Sequence, residues 1–535
     1  MPAMHDDIPD DILIVGGGTA GWLTAAWLAK QLSPAGVRIS LIESADIGTI
    51  GVGEGTFPTI ARTLSLLGAD EAQFMRESSA AFKQGIRFVD WRETPPAPSE
   101  PAGKSRHYYH PFALPRSTGN LDLTPHWLSG AAGDASFADA VTLQEKVCDA
   151  GCAPKRATDA GFRGPMNYAY HLDATRFGKY LAGLAKALGV VHRVGTVARV
   201  DLTSAGAIAG VVSAEHGTLT ADLYVDCTGF RAELIGRALG VPFKSKNPVL
   251  FVDRAVAVQV PHPHENTPVP PYTISTAHEA GWSWDIALPS RRGVGYVYSS
   301  RHTDDTRAET VLRNYVGPAA NNLPVRHLAL DVGWREKHWV RNCVAVGLSG
   351  GFLEPLESTG IILIEAAAYQ LAGLFKRGAD HEPAARAFND HMTKRYERIV
   401  DFIKMHYFLT KRRDTAFWRD NADPVSAPDS LLAHLAAWRE RPPAAGDFDL
   451  VHETFAPANY QFVLYGMGFR APPASGAKPD RNSAKARTEF ARVQAAARRA
   501  VAALPAHREL LQRVNQAGFG FAEQPSRQAM PTLMR

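Results

Sequence analysis

Cysteine is scarce: the chain has four in 535 residues, Cys148, Cys152, Cys227 and Cys343. So few thiols exclude a disulfide scaffold, and the one close pair, Cys148 and Cys152, lacks the second pair that a zinc site would need. No metal site is expected. Long apolar runs are also missing, because glycine or charge interrupts each of them, which excludes a membrane-spanning helix. The opening MPAMHDDIPDD is acidic and lacks the basic-then-apolar order of a secretory signal. With thiols left reduced, a cytoplasmic location is expected. Nor is there an excess of one charge: 58 Lys and Arg against 54 Asp and Glu leave +4, scattered rather than gathered into a stripe. A nucleic-acid partner is therefore not expected. Internal repeats are absent.

What the chain has is apolar content, 45% of its residues. A core of that size exceeds the needs of one compact domain and predicts two interwoven lobes. The run DILIV (11–15) passes directly into GGGTAG, and WLTAAWLAKQL follows with helical period. This strand, turn and helix place Gly16, Gly18 and Gly21 in the G-x-G-x-x-G pattern. Missing side chains there, with Thr19 and Ala20 between them, let the backbone approach a pyrophosphate at a helix N-terminus. The next strand, RISLIES, carries Glu43 about 20 residues beyond the last glycine, where a carboxylate accepts from a ribose hydroxyl.

That module fits NAD or FAD. Two later segments favour FAD: TADLYVDCTGF (220–230) is an apolar strand, and VRNCVAVGLSGGFLEPLESTGI (340–361) is a strand, a glycine-rich turn containing Gly347, and the start of a helix. Strands that return after long insertions suit a flavin architecture of the monooxygenase type. The expected fold is α/β, with a glutathione-reductase-like FAD lobe over 10–80, 165–250 and 330–378. A largely helical substrate lobe is expected over 81–164, 251–329 and 379–535. The stretches 94–103 and 471–485, rich in proline and small residues, read as an exposed loop and a surface linker, and EFARVQAAARRAVAAL (489–504) as a helical tail.

From about residue 10 to about residue 470 the sequence resembles the flavin-dependent tryptophan halogenases, through several ordered motifs. They are GGGTAG with Glu43, GVGEGTFPTI (51–60), AFKQGIRFVDW (81–91), YHPF (109–112), WSWDIALP (282–289) and GFLEPLESTGI (351–361). The resemblance implies an enzyme that takes FADH2 from a separate NAD(P)H-dependent flavin reductase. With O2 and chloride or bromide it makes hypohalous acid, which halogenates an indole or other electron-rich arene in a separate pocket. Lys83 corresponds to the family's halogen-delivering lysine and Glu357 to its second catalytic residue. Thr359 and Gly360 correspond to the halide site beside the flavin, and His110 and Phe112 to the rings that sandwich the substrate. A homodimer is possible on the same basis.

Each assignment has a plainer alternative: a solvated lysine, a carboxylate paired with a helix dipole, a core aromatic pair. A flavin monooxygenase that hydroxylates its substrate, or a flavin-binding protein without catalysis, would share the fold. Glu354 reads as structural. The sequence also departs from the family twice. The motif W-x-W-x-I-P becomes Trp282, Trp284, Ile286, Ala287, Leu288 and only then Pro289. The tyrosine pair and following glutamate expected to grip free tryptophan are replaced by VHETFAPANYQFVLYGMGF (451–469), with Tyr460 and Tyr465 apart. A neutral arene is therefore the expected substrate, unless Glu453 or Arg470 rebuilds the grip.

Overall fold

The apolar run Asp11–Val15 forms a strand with parallel partners on both sides, Arg38–Glu43 and Leu223–Asp226. Burial on both faces explains why it reads as a continuous hydrophobic stretch rather than an alternating one. It lies inside a six-stranded sheet in the order Trp339–Val340, Cys343–Ala345, Leu223–Asp226, Asp11–Val15, Arg38–Glu43, Val191–Val194. The helix Gly18–Leu32 packs on that sheet with Ala174–Ala187 and Thr359–Leu374 beside it. In this computed structural model residues 11–45, 53–95, 106–116, 121–375, 381–448, 453–470 and 482–520 are described.

The inserted segments contribute a second, seven-stranded sheet, in the order Arg326–Ala329, Arg254–Pro261, Arg291–Tyr298, Gly281–Ala287, Thr273–Ala277, Gly85–Val89, His107–Pro111. A separate small sheet has the middle strand Ala169–Leu172, which pairs with Glu54–Gly55 and with Ala81–Lys83. Lys83 thus ends a three-residue strand, and the chain turns at Gln84 into the large sheet.

The C-terminal part is helical, as expected. Its long helix His381–Phe408 buries Phe402, Lys404, His406 and Tyr407 against the core. The tail helix spans Ser483–Ala503 and is followed by another, His507–Ala517, which the sequence reading did not place. The stretches 94–103 and 471–485 lie mostly outside the described residues. All four cysteines are free and buried. Among the described residues no helix is long and apolar enough to cross a membrane.

Candidate active site

At the cofactor end, glycine is required by close approach. Gly16 has φ +104°, and a Cβ there would stand 2.3 Å from Cys227 O; a Cβ on Gly21 would stand 1.9 Å from Gly16 O. Gly347 has φ +74°, and its Cβ would meet that of Ala20 at 2.7 Å, so the two glycine turns recognised in the sequence touch. Gly17, which the motif does not single out, also has a close neighbour: a Cβ would stand 1.5 Å from Glu43 Oε2, a side-chain end that can shift where the backbone atoms facing Gly16 and Gly21 cannot. Glu43 ends its strand and lies 3.0 Å from His192 Nε2, a neighbour that sequence reasoning missed. No side chain caps the helix Gly18–Leu32, so Thr19 and the rest of its first turn keep N–H groups available. This bare backbone at a helix N-terminus fits the pyrophosphate of a flavin dinucleotide.

Another helix that starts without a side-chain cap is Thr359–Leu374. Thr359 is buried, whereas Gly360 is exposed and a Cβ on it would meet nothing within 4 Å, which gives a flat ring access to the backbone. Immediately before it, Glu357 and Ser358 both have left-handed backbones, φ +68° and +57°. For residues with a Cβ this costs about 1–2 kcal/mol each. Side-chain contacts hold them there.

Ser358 Oγ accepts from Lys83 Nζ at 2.8 Å, and Thr56 O accepts from the same ammonium at 3.3 Å. The ammonium also sits 5.2 Å from the centre of the Phe112 ring. Lys83 is completely buried. Burial pushes it down to about 7, against an upward pull from the Glu357 charge.

Glu357 is buried as well, between two histidines. His110 Nδ1–H donates to Oε2 at 2.7 Å, and His406 Nε2 lies 3.1 Å from Oε1. Each ring is oriented from behind: Asn459 Nδ2 donates to His110 Nε2 at 2.8 Å, and Tyr108 Oη donates to His406 Nδ1 at 3.0 Å. Burial alone would raise the Glu357 carboxyl, but its contacts with His110 first and then with His406 hold it at about 2. It is therefore an anion at working pH. Glu354, three residues earlier, goes the other way. Its Oε1 accepts from Trp282 Nε1 at 3.1 Å and Tyr407 Oη at 2.5 Å, yet burial lifts it to about 7.

The predicted residues Lys83, Phe112, His110, Glu357 and Thr359 thus converge, while Glu43 and the glycine turns form a separate end. His110 is more than an aromatic wall, since its Nδ1–H donates to Glu357 and its Nε2 accepts from Asn459. His406 and Asn459, on the helices His381–Phe408 and Pro457–Gly466, were not found from sequence; a histidine or asparagine in an apolar helix gives no signal that would distinguish it. Trp282 and Trp284 share one face of a buried strand. The displaced Pro289 falls in the turn after that strand, where Leu288 N–H donates to Arg291 O.

A glycine-built turn at a helix N-terminus on a parallel sheet, together with a buried lysine and carboxylate contributed by inserted segments, defines the class: an enzyme built on a dinucleotide-binding fold. Comparison with known proteins gives the family. The tryptophan halogenase family matches residues 11–479. The tryptophan 6-halogenase SttH of Streptomyces toxytricini is 37% identical, over 96% of this chain and all of that protein. A solved tryptophan halogenase from Shewanella frigidimarina superposes with a TM-score of 0.91 at 40% identity, covering 97% of this chain and 99% of that one. BrvH, a flavin-dependent halogenase from Brevundimonas, gives 0.83 at 33% identity, covering 95% and 99%. The chain belongs to the tryptophan halogenase family and is a flavin-dependent halogenase.

Proposed function

We propose that the enzyme halogenates indole or another electron-rich arene without a zwitterion, using chloride or bromide, in the cytoplasm. FADH2 comes from a separate NAD(P)H-dependent reductase. The observation that carries the substrate reading is the fate of the groups that could grip an amino acid. Tyr460 is packed among Trp438, Phe448 and Phe402, and Tyr465 between Trp127 and Phe137. Glu453 lies 3.9 Å from Arg398, and Arg470 stacks over Trp127 at 4.8 Å. A zwitterion entering this pocket would lose hydration without gaining those partners, whereas a neutral ring loses little.

Bound reduced flavin, with O2 and halide, supplies hypohalous acid. Lys83, with Nζ–H bonds already made to Thr56 O and Ser358 Oγ, has a further N–H to donate to the oxygen of that acid and polarise its halogen. Phe112 lines the route beside the ammonium, and His110 and Phe112 border the place for the arene. When the ring carbon attacks the halogen, the halogen–oxygen bond breaks, the departing oxygen takes the Lys83 proton and leaves as water, and positive charge develops on the ring. The Glu357 anion, fixed by His110 and His406, stabilises it and takes the ring proton. A carboxylate held near 2 is a weak base, but an arenium cation is a far stronger acid than its conjugate. Loose holding of a small arene favours its most reactive carbon.

A competition assay with equal indole and tryptophan, reduced FAD and either halide, tests this reading. Indole is expected to be halogenated with the higher kcat/KM. Preferential halogenation of tryptophan on its benzo ring would sink it.

A further inference from the structure

The three-residue strand that carries Lys83 pairs with Ala169–Leu172 along one edge. Along the other edge Gln84 N–H donates to Pro271 O at 2.7 Å. Phe82, the residue before the lysine, donates its N–H instead to an imidazole: Nε2 of His507, 425 residues further along the chain, at 3.1 Å. The other ring nitrogen, Nδ1, donates to Val269 O at 2.8 Å. These partners fix the tautomer, with the proton on Nδ1 and the lone pair on Nε2. The ring takes a donor from one backbone and gives a proton to another, as a neighbouring strand would, and so closes an otherwise open edge.

His507 is 1% exposed, and burial pushes its pKa down to about 4, so Nε2 remains an acceptor at neutral pH. The start of its helix is anchored independently. His507 N–H donates to Gly151 O at 2.9 Å, Ala153 N–H to Pro505 O at 2.9 Å, and the Arg508 guanidinium to Thr267 O at 2.7 Å and Pro289 O at 2.5 Å. Pro289 is the proline displaced in the tryptophan motif. The C-terminal helix therefore joins the lysine strand, the loop 151–153 and the turn after the tryptophan strand.

We propose that His507 is a positioning residue for the halogen-transfer step: its imidazole holds Phe82, and through it keeps Lys83 Nζ placed against Thr56 O and Ser358 Oγ. The inference rests on the reading of Lys83 as the halogen-delivering group. A buried N–H deprived of its acceptor draws the strand toward another partner, and a shift of about 1 Å at a reacting group is enough to slow a transfer step strongly.

Two substitutions separate the contacts. His507→Asn keeps a donor for Val269 O but is too short to accept from Phe82, whereas His507→Gln reaches as far as Nε2. Each variant is assayed with indole, bromide and reduced FAD for brominated indole, and separately for hypobromous acid trapped by monochlorodimedone. The asparagine variant is expected to lose about tenfold in ring bromination, with hypobromous acid formation little changed and amide exchange over 81–83 accelerated. The glutamine variant should recover most of the loss. Wild-type bromination in His507→Asn overturns the proposal. So does an equal fall of bromination and trapped acid in both variants, or failure of either to fold, since each assigns His507 to the fold alone. Lys83→Ala is run alongside: if it brominates indole normally, the lysine reading fails, while amide exchange at Phe82 still decides whether His507 holds the strand.

Discussion

The proposed cofactor end and the proposed halogenation end of this enzyme are built from opposite materials. The first uses backbone and absent side chains, and its key turn is confined to Gly16–Gly21, with Gly347 packed against it. The second uses buried side chains gathered from across the chain: Lys83 to Ser358 spans 275 residues, His110 to Glu357 spans 247 and His110 to Asn459 spans 349. A site that binds phosphate needs N–H groups and room, which a short turn provides by itself. A site that controls a reactive halogen needs groups with displaced pKa values, and only burial supplied by distant segments displaces them.

The comparison can be broken at either end. Gly21→Val at the cofactor end forces side-chain atoms against Gly16 O and is expected to abolish FAD binding, measured by retention of flavin on dialysis; a variant that still binds FAD tightly would show that the turn tolerates a side chain. At the halogenation end, Glu357→Gln removes the anion between His110 and His406 and should cut ring halogenation by roughly 100-fold with flavin binding intact. The pH profile sharpens the contrast. Because burial lowers Lys83 from 10.5 to about 7, its protonated form is lost as pH rises through that value. Ring halogenation should then fall above pH 7 while hypohalous acid formation does not follow it; a parallel decline of both would place the titration at the flavin end. The smallest effect belongs to Glu354→Gln. That carboxyl is lifted to about 7, so the amide resembles its neutral form, and halogenation should stay within about threefold of wild type.

The two ends also differ in how legible they were. The strand, glycine turn and Glu43 follow from local periodicity and spacing, and the large residues around them had no freedom to be elsewhere. Lys83 and Glu357 could be singled out only through the family resemblance, which the strings AFKQG and GFLEPLESTG carry. Their supports could not. His406, Asn459 and His507 lie in helices whose patterns report only burial, and nothing in a helical period tells a polar side chain aimed at a site from one satisfied in the core. The seven-stranded sheet within the inserted segments was likewise unread, although its Trp282 strand was noted, because its strands are scattered over several insertions. The place of the displaced Pro289 became visible only with the turn Leu288–Arg291 and the Arg508 contact at its carbonyl.

The burial of the four thiols bears on how long such an enzyme survives its own product. Sulfur is the softest target that a protein offers to hypohalous acid, and thiolates react faster than thiols. Here burial raises the pKa of Cys148, Cys152, Cys227 and Cys343, keeping them protonated as well as hidden. Among the described residues the thioethers follow the same rule: Met75, Met166, Met392, Met405 and Met467 are all buried. Oxidant escaping into solvent therefore meets no sulfur on the described surface, and damage from leakage should accumulate on exposed amines and rings before it reaches the core.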